Sequence, residues 1–366
     1  MSFQYLTRHY HSLNTFPVEQ FELESAVAVD TEFIRRSTYY TRLGLVQLAT
    51  RENSVTLDPI HSDVECLRSF LTNLHVSKIM HASRQDVDIF LHRLGVVPKP
   101  LIDTQILAEF CGFEANISLR ALCHHFFNVT LDKSCQRLDW LKRPLPSKAL
   151  RYAHDDVQYT YHCYEKLREL SGNKYAWFLE DMAAVQEGAF YQETPETLLK
   201  KFKKPVRYLS KDQVVILMKI LMARDQAASW FNMAVRHVLS DELCLEMSMD
   251  GAPQKRLCKE ILEKYYKENK PMGWPSPDPT IDIKAHLLEI ISKALNQDVQ
   301  LPENVQEGVK KSEVLNLQEK IIKIAEAHQM NPSLLARKRD IHAALKDPSS
   351  SSLGKGWRTS LVSHLF

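Results

Sequence analysis

The sequence predicts an α/β domain with a mixed central sheet flanked by helices, followed by an all-α C-terminal half. Three observations carry this. Strand-like apolar runs stand close together at 26–33, 43–49 and 54–57, the spacing of an antiparallel meander. Strand and helix patterns then alternate from 63 to 95, and the chain reads as helical from 103 onward. After about residue 195 the composition shifts: Lys200, Lys201, Lys203, Lys204 and Arg207 surround Pro205 and open a second helical stretch.

Taken in order, residues 1–25 read as a short strand, a loop and a helix. Ala26 to Val29 is a continuous apolar run, the mark of a strand buried on both faces. Tyr39, Tyr40 and the run Leu43–Ala49 predict a second strand, and Ser54–Leu57 a third, ended by Asp58-Pro59. A helix follows near 63–74, then a short strand at Lys78–His81. The helix expected over 83–95 ends at Gly95 and buries Val87, Phe90, Leu91 and Leu94, spaced i, i+3, i+4, i+7. Further helices are expected at 103–111, 117–127 and 147–169. Between them, 129–140 has too few periodic apolar positions for a helix. It reads either as a loop that touches phosphate or as a solvated connector. The basic run near 200–207 reads as a linker, and helices follow at 211–222, 224–239 and 253–266. Pro271–Pro279 breaks the pattern. Helices at Asn316–His328, Pro332–Ala344 and Trp357–Phe366 complete the chain, with Ser349–Ser352 as a polar break.

Composition narrows the class. Of 366 residues, 44% are hydrophobic and 25% charged, an ordinary globular balance long enough for two or three domains. The formal net charge is +2, so any polyanion must meet locally clustered basic residues. Seven cysteines, none in a C-x-x-C pair, form neither a disulfide framework nor a zinc site, and reduced thiols in a cytoplasmic protein are expected. Met1–Thr15 has no apolar core of a signal peptide, and no apolar run reaches membrane-spanning length. No membrane and no obligatory protein partner are expected.

Five residues point to chemistry. Asp30 and Glu32 lie two apart at the end of the 26–33 strand, so they share a face. Like charges that close are costly without a cation, and hard divalent cations prefer carboxylate oxygen. A strand end with two solvated acids has the same spelling. Asp86 falls in the first turn of its helix, where the dipole favours an acid, at the flank of the buried face. Tyr152 and Asp156 are four apart on one helix face, with Asp155 near it as well, so spacing does not choose between the two aspartates.

The order D-x-E, then D, then Y-x-x-x-D resembles the tyrosine branch of the DEDD exonucleases; Arg151 stands where the histidine branch has His. The flanking segments narrow the resemblance. Asp30-Thr31-Glu32-Phe33, Thr38-Tyr39-Tyr40, Leu43–Leu48, Asp58-Pro59, Lys78–Ala82, Leu101–Gln105, Leu131–Ser134 and Asp139–Leu145 resemble ribonuclease D over most of 5–170. The C-terminal half resembles, more weakly in its first part than in its second, the two helical HRDC-type domains that follow that nuclease.

The resemblance implies a ribonuclease H-like 3′-5′ exonuclease domain at 1–195, an HRDC domain at 205–285 and a second HRDC-like domain at 286–366. It settles Asp156 over Asp155. It implies hydrolysis of RNA from the 3′ hydroxyl end, releasing 5′-mononucleotides in the maturation of precursor tRNA; the alternative is a related exonuclease acting on DNA or on other structured RNAs. The implied cofactors are two divalent cations, Mg²⁺ or Mn²⁺, about 3.5–4 Å apart. Asp30 would bridge them, Glu32 and Asp156 would complete the first site, and Asp86 would hold the second, partly through water. Tyr152 would orient the attacking water. Lys133 and Arg137 are candidate phosphate contacts, and His81 is expected to be structural.

Overall fold

The computed structural model describes residues 5–11, 16, 18–60, 64–249, 283–299, 310–347 and 351–365. The chain opens with strand β1 (Leu6–Tyr10) and helix α1 (Val18–Glu22). Strands β2 (Ala26–Ile34), β3 (Arg42–Ala49) and β4 (Asn53–Leu57) form the expected antiparallel meander. Helix α2 (Leu67–Thr72), strand β5 (Ser77–Met80), helix α3 (Arg84–Leu94) and strand β6 (Leu101–Asp103) follow. The six strands lie in one sheet, in the order β1-β4-β3-β2-β5-β6, with β1, β5 and β6 paired in parallel. The sheet is therefore mixed, and β2 sits inside it, with Val27, Ala28 and Val29 almost fully buried.

Helices α4 (Thr104–Phe110), α5 (Leu119–Phe127), α6 (Ser147–Ser171) and α7 (Lys174–Val185) flank the sheet. The face of β4 toward α6 is fixed by a hydrogen bond between Ser54 Oγ and His154 Nδ1, 2.7 Å long. Gln158 of the same helix donates to the carbonyls of Thr50 and Arg51. Thus the 25-residue α6 lies across the sheet and carries its polar side chains onto the strands.

Two expectations change in this half. Strand β6 is not among the expected elements, because three residues are too short to show a period. Tyr39 and Tyr40 lie outside β3, which begins at Arg42.

The chain forms two compact units that do not follow chain order. One comprises 1–34, 42–191 and 308–366; the other comprises 35–41 and 192–307. The expected segments, 1–195, 205–285 and 286–366, are consecutive, whereas packing assigns the last helices to the same unit as the sheet.

In the second unit, the basic run expected as a linker is helical: α8 (Pro195–Leu199), a 3-10 turn and α9 (Lys203–Val206) surround the buried Phe202. Helix α10 (Lys211–Phe231) is one helix where two were expected. It starts at a Ser210/Gln213 capping box and ends at Asn232 in the left-handed region. Its buried face continues through Ala223, Arg224, Ala227 and Ala228, and buried Arg224 donates to Asp241. Helices α11 (Val235–Val238), α12 (Asp241–Met249) and α13 (Ile283–Leu295) complete the described part of this unit. Tyr39 donates to Asp225 at 2.9 Å, and the hydroxyl of Tyr40 pairs with that of Ser229, so the 35–41 tip packs on α10. The expected helix at 253–266, the loop at 271–279 and part of the 349–352 break lie outside the described residues.

The returning helices are α14 (Lys311–Ala327), α15 (Pro332–Leu335), α16 (Lys338–Lys346) and α17 (Trp357–Val362). Trp357 stacks on Trp177 with ring centroids 5.1 Å apart and donates from Nε1 to Asp181. Arg358 clamps both oxygens of Asp181 at 2.7 Å.

Lys78 explains how a charged residue is tolerated inside β5. Fully buried, its ammonium donates to the carbonyls of Asn73, Val76 and Lys99. Burial opposes the charged form, whereas three acceptors match its three N–H bonds. Lys78→Met strips a donor from all three carbonyls. It is expected to lower the unfolding free energy by about 3 kcal/mol or more, read as a lower urea midpoint; a midpoint equal to the wild type would contradict this account.

Candidate active site

Strand alternation puts Asp30 and Glu32 on one face of β2, both partly exposed. Helix α6 packs on that face and supplies Asp156 and, one turn earlier, Tyr152. Ligand oxygens of Asp30, Glu32 and Asp156 all lie within 4.8 Å of one another. Asp86, in the first turn of α3, is buried and accepts a 2.5 Å hydrogen bond from Thr31 Oγ1. It stands outside that triangle, yet its charge acts on Glu32 and it feels that of Asp30. The structure thus brings together the four acids and the tyrosine singled out in the sequence. Asp155 is turned elsewhere, where its carboxylate accepts from the hydroxyl of Tyr5.

The electrostatics follow from burial and crowding. Burial raises the pKa of Asp30, opposed by a hydrogen bond from the amide of Thr31. Burial and then the charges of Asp30, Asp156 and Asp86 push Glu32 up strongly. Asp86 is raised well above the carboxylate range by burial and by Asp30. Burial and Asp30 push Asp156 up to about 8, against a hydrogen bond from Tyr152. Tyr152 is raised by burial and by Asp156 and Glu32, so its hydroxyl stays a donor at neutral pH. Four carboxylates that resist ionisation together form an all-oxygen donor set, and a hard divalent cation would restore their charge. The residues present therefore fit a divalent metal.

The surrounding loop holds Tyr152 in place. Trp140, 1% exposed, sits with its ring centroid 6.1 Å from that of Tyr152. Its backbone lies so close to Gly44 that a Cβ there would be 2.7 Å from the Trp140 carbonyl oxygen. Arg143 ties the loop to the sheet: it donates to the carbonyls of Trp140 and Gly44 and, through Nε and Nη2, to both oxygens of Asp58. In the sequence Arg143 stands out only as part of the Asp139–Leu145 segment, because its partners Asp58 and Gly44 are 85 and 99 residues away. Lys133 and Arg137 are exposed in this loop, and the charge of Lys133 acts on Asp156. His81 bonds the hydroxyl of Thr104 and the carbonyl of Ile117, a structural placement.

A family described as 3′-5′ exonuclease matches residues 13–171, the span that carries all five residues. Ribonuclease D of Bartonella henselae is 36% identical over 239 residues, covering 63% of this chain and 58% of that protein. Ribonuclease D of Gluconacetobacter diazotrophicus is 28% identical over 350 residues, covering 93% and 86%. The crystal structure of Escherichia coli RNase D superposes with a TM-score of 0.76 at 25% identity, over 99% of this chain and 97% of that one.

The chain is similar to ribonuclease D over most of its length.

The stronger sequence matches are partial: the aligned stretch spans 58%, 36% and 59% of the relatives from B. henselae, E. coli and Jannaschia. A protein from Bifidobacterium adolescentis, 21% identical with a TM-score of 0.61 over 97% of this chain, shares the fold. The 3′-5′ exonuclease match covers the span where the acids converge into an oxygen donor set that suits a divalent metal.

The Arg143–Asp58 pair yields a prediction with a defined sign. Burial alone would raise Asp58, but the hydrogen bonds from Arg143 and from the amide of Ile60 outweigh it and hold its pKa below the usual value. A carboxyl depressed in the folded state contributes stability above its unfolded pKa of about 3.9, lost as pH falls through the folded value. Arg143→Ala leaves Asp58 buried without its cation and is expected to cost about 3 kcal/mol at pH 7. The deficit should shrink as pH falls below about 4. Denaturant unfolding across pH 3–7 reads this, and a pH-independent deficit would refute the pairing.

Proposed function

We propose that the chain is a 3′-5′ exoribonuclease that trims the 3′ ends of precursor tRNA, releasing 5′-mononucleotides. The observation that carries this reading is the triangle of Asp30, Glu32 and Asp156 oxygens within 4.8 Å, with Asp86 beside it, inside the 3′-5′ exonuclease match. Support for RNA comes from the relatives' name and from the E. coli structure, described as an exoribonuclease involved in structured RNA processing.

Asp30, Glu32, Asp86 and Asp156 would hold two divalent cations, Mg²⁺ or Mn²⁺. Bound there, the pair would supply Lewis-acid stabilisation of the attacking and leaving oxygens of an in-line displacement. Tyr152 donates from a hydroxyl that stays protonated, so it orients the attacking water and does not act as base. Trp140 packs behind Tyr152 and fixes its ring. Exposed Lys133 and Arg137 would meet backbone phosphates. The segments 205–285 and 286–366 are proposed as HRDC-type modules, supported by their helices. A cytoplasmic location goes with this reading, supported by cysteine spacing that builds no disulfide framework.

A second reading, a related exonuclease acting on DNA, shares the same acids and is separated by substrate. On a 3′-tailed precursor tRNA with Mg²⁺, the wild type is expected to trim stepwise. Asp30→Ala and Asp156→Ala should each lose at least about 10³-fold in rate while unfolding at the wild-type midpoint or above, since removing one acid relieves repulsion. A folded Asp30→Ala protein that trims normally would refute the assignment, and faster hydrolysis of a matched DNA strand would favour the second reading.

A further inference from the structure

Gln47 is fully buried, and among the described residues neither its Oε1 nor its Nε2 has a hydrogen-bond partner. A buried amide with both ends open costs a few kcal/mol that a leucine would not. Such an orphan in a well-packed strand calls for a function.

Its position names one. In the antiparallel pairing of β2 with β3, Gln47 is directly opposite Asp30. Residues so paired point to the same face, with Cβ atoms about 4.5–5.5 Å apart. On the other side, Gln47 is opposite Thr56 of β4, and Thr56 is beside His9 of β1. His9 Nδ1 and Thr56 Oγ1 are 2.7 Å apart. A row of four polar side chains, His9, Thr56, Gln47 and Asp30, therefore crosses four neighbouring strands. It lies on the face that α6 covers, the face of Ser54 and His154. Gln47 is the member between the catalytic acid and the hydroxyl, and both of its polar atoms stand open among the described residues.

We propose that Gln47 is a positioning residue for Asp30: its amide, through one buried water, holds the Asp30 carboxylate in the orientation that a divalent cation requires. The chemistry suits this. A carboxylate shared by two cations must present its oxygens in fixed directions, and the groups that hydrogen-bond to a metal ligand set its orientation. An amide supplies a donor without adding charge to a pocket already crowded with carboxylates. The inference rests on the proposed metal site and adds a residue to it.

The test is calorimetric titration of the full chain with Mn²⁺ alone, with steady-state trimming of a 3′-tailed RNA beside it. Gln47→Met keeps the volume and removes the orphan amide, so its metal-free melting temperature should equal or exceed the wild type. Its Mn²⁺ affinity should fall about 10- to 100-fold, and kcat should fall while KM for RNA stays unchanged. Wild-type Mn²⁺ affinity in a folded Gln47→Met protein would overturn the inference and leave the metal site standing. If the wild type binds no Mn²⁺ and Asp30→Asn makes no difference, the metal-site reading fails and takes this inference with it. Gln47→Glu is a second probe that does not depend on the first variant. It places a further carboxylate beside Asp30, so Mn²⁺ should raise its melting temperature more than that of the wild type. An equal rise would place Gln47 away from the cations and refute the proposal.

Discussion

Mutual repulsion among carboxylates is the constraint on which the rest of this structure depends. Asp30, Glu32 and Asp156 are held within 4.8 Å, and Asp86 is buried next to them, although Asp30 raises the pKa of the other three and Asp156 and Asp86 raise that of Glu32. No chain would adopt this spontaneously for stability. It persists because stronger packing and hydrogen bonding around the site over-determine it: a fully apolar start to β2, a 25-residue helix pinned to the sheet, and Thr31 bonded to Asp86. The acids converge from a strand and two helices, so no single element has to carry all the unfavourable charge.

Helix α6 does two jobs with one surface. Ala149, Ala153 and Val157 bury its apolar stripe, while Tyr152 and Asp156 look toward β2 and His154 and Gln158 grip the sheet. Small residues at 149 and 153 let the helix come close to Trp140 and Leu45, and that closeness brings Asp156 into range of Asp30. The Arg143 clamp works toward the same end from the loop side. Packing and function are thus coupled through the distance between one helix and one sheet.

Much of the sheet-bearing half is readable in the amino-acid sequence, for definite reasons. Strand alternation places Asp30 and Glu32 together, and a four-residue interval places Tyr152 over Asp156. Helical spacing puts Asp86 at the edge of the buried face of α3, and the structure buries it further because Thr31 receives it there. What stays hidden depends on contacts distant in sequence. Spacing does not set Asp155 aside; Tyr5, 150 residues earlier, removes it. Gln47 lies in an apolar run and carries no local pattern, and its interest comes only from facing Asp30 across the ladder. In the helical half, polar positions mislead. Arg224 and Asp225 follow the expected helix end at 222 but lie inside α10, one buried against Asp241 and the other accepting from Tyr39.

The path of the chain has a practical consequence. It leaves the sheet-bearing unit after Ile34, returns at Arg42, departs again after Tyr191 and comes back at 308. A protein truncated after Tyr191 would keep all four acids and still be incomplete. Trp177 would lose Trp357, Asp181 would lose the guanidinium of Arg358, and Tyr39 and Tyr40 would lose Asp225 and Ser229. The sheet-bearing unit is therefore not a detachable N-terminal module: a fragment that keeps its packing would have to include Trp357 and Arg358.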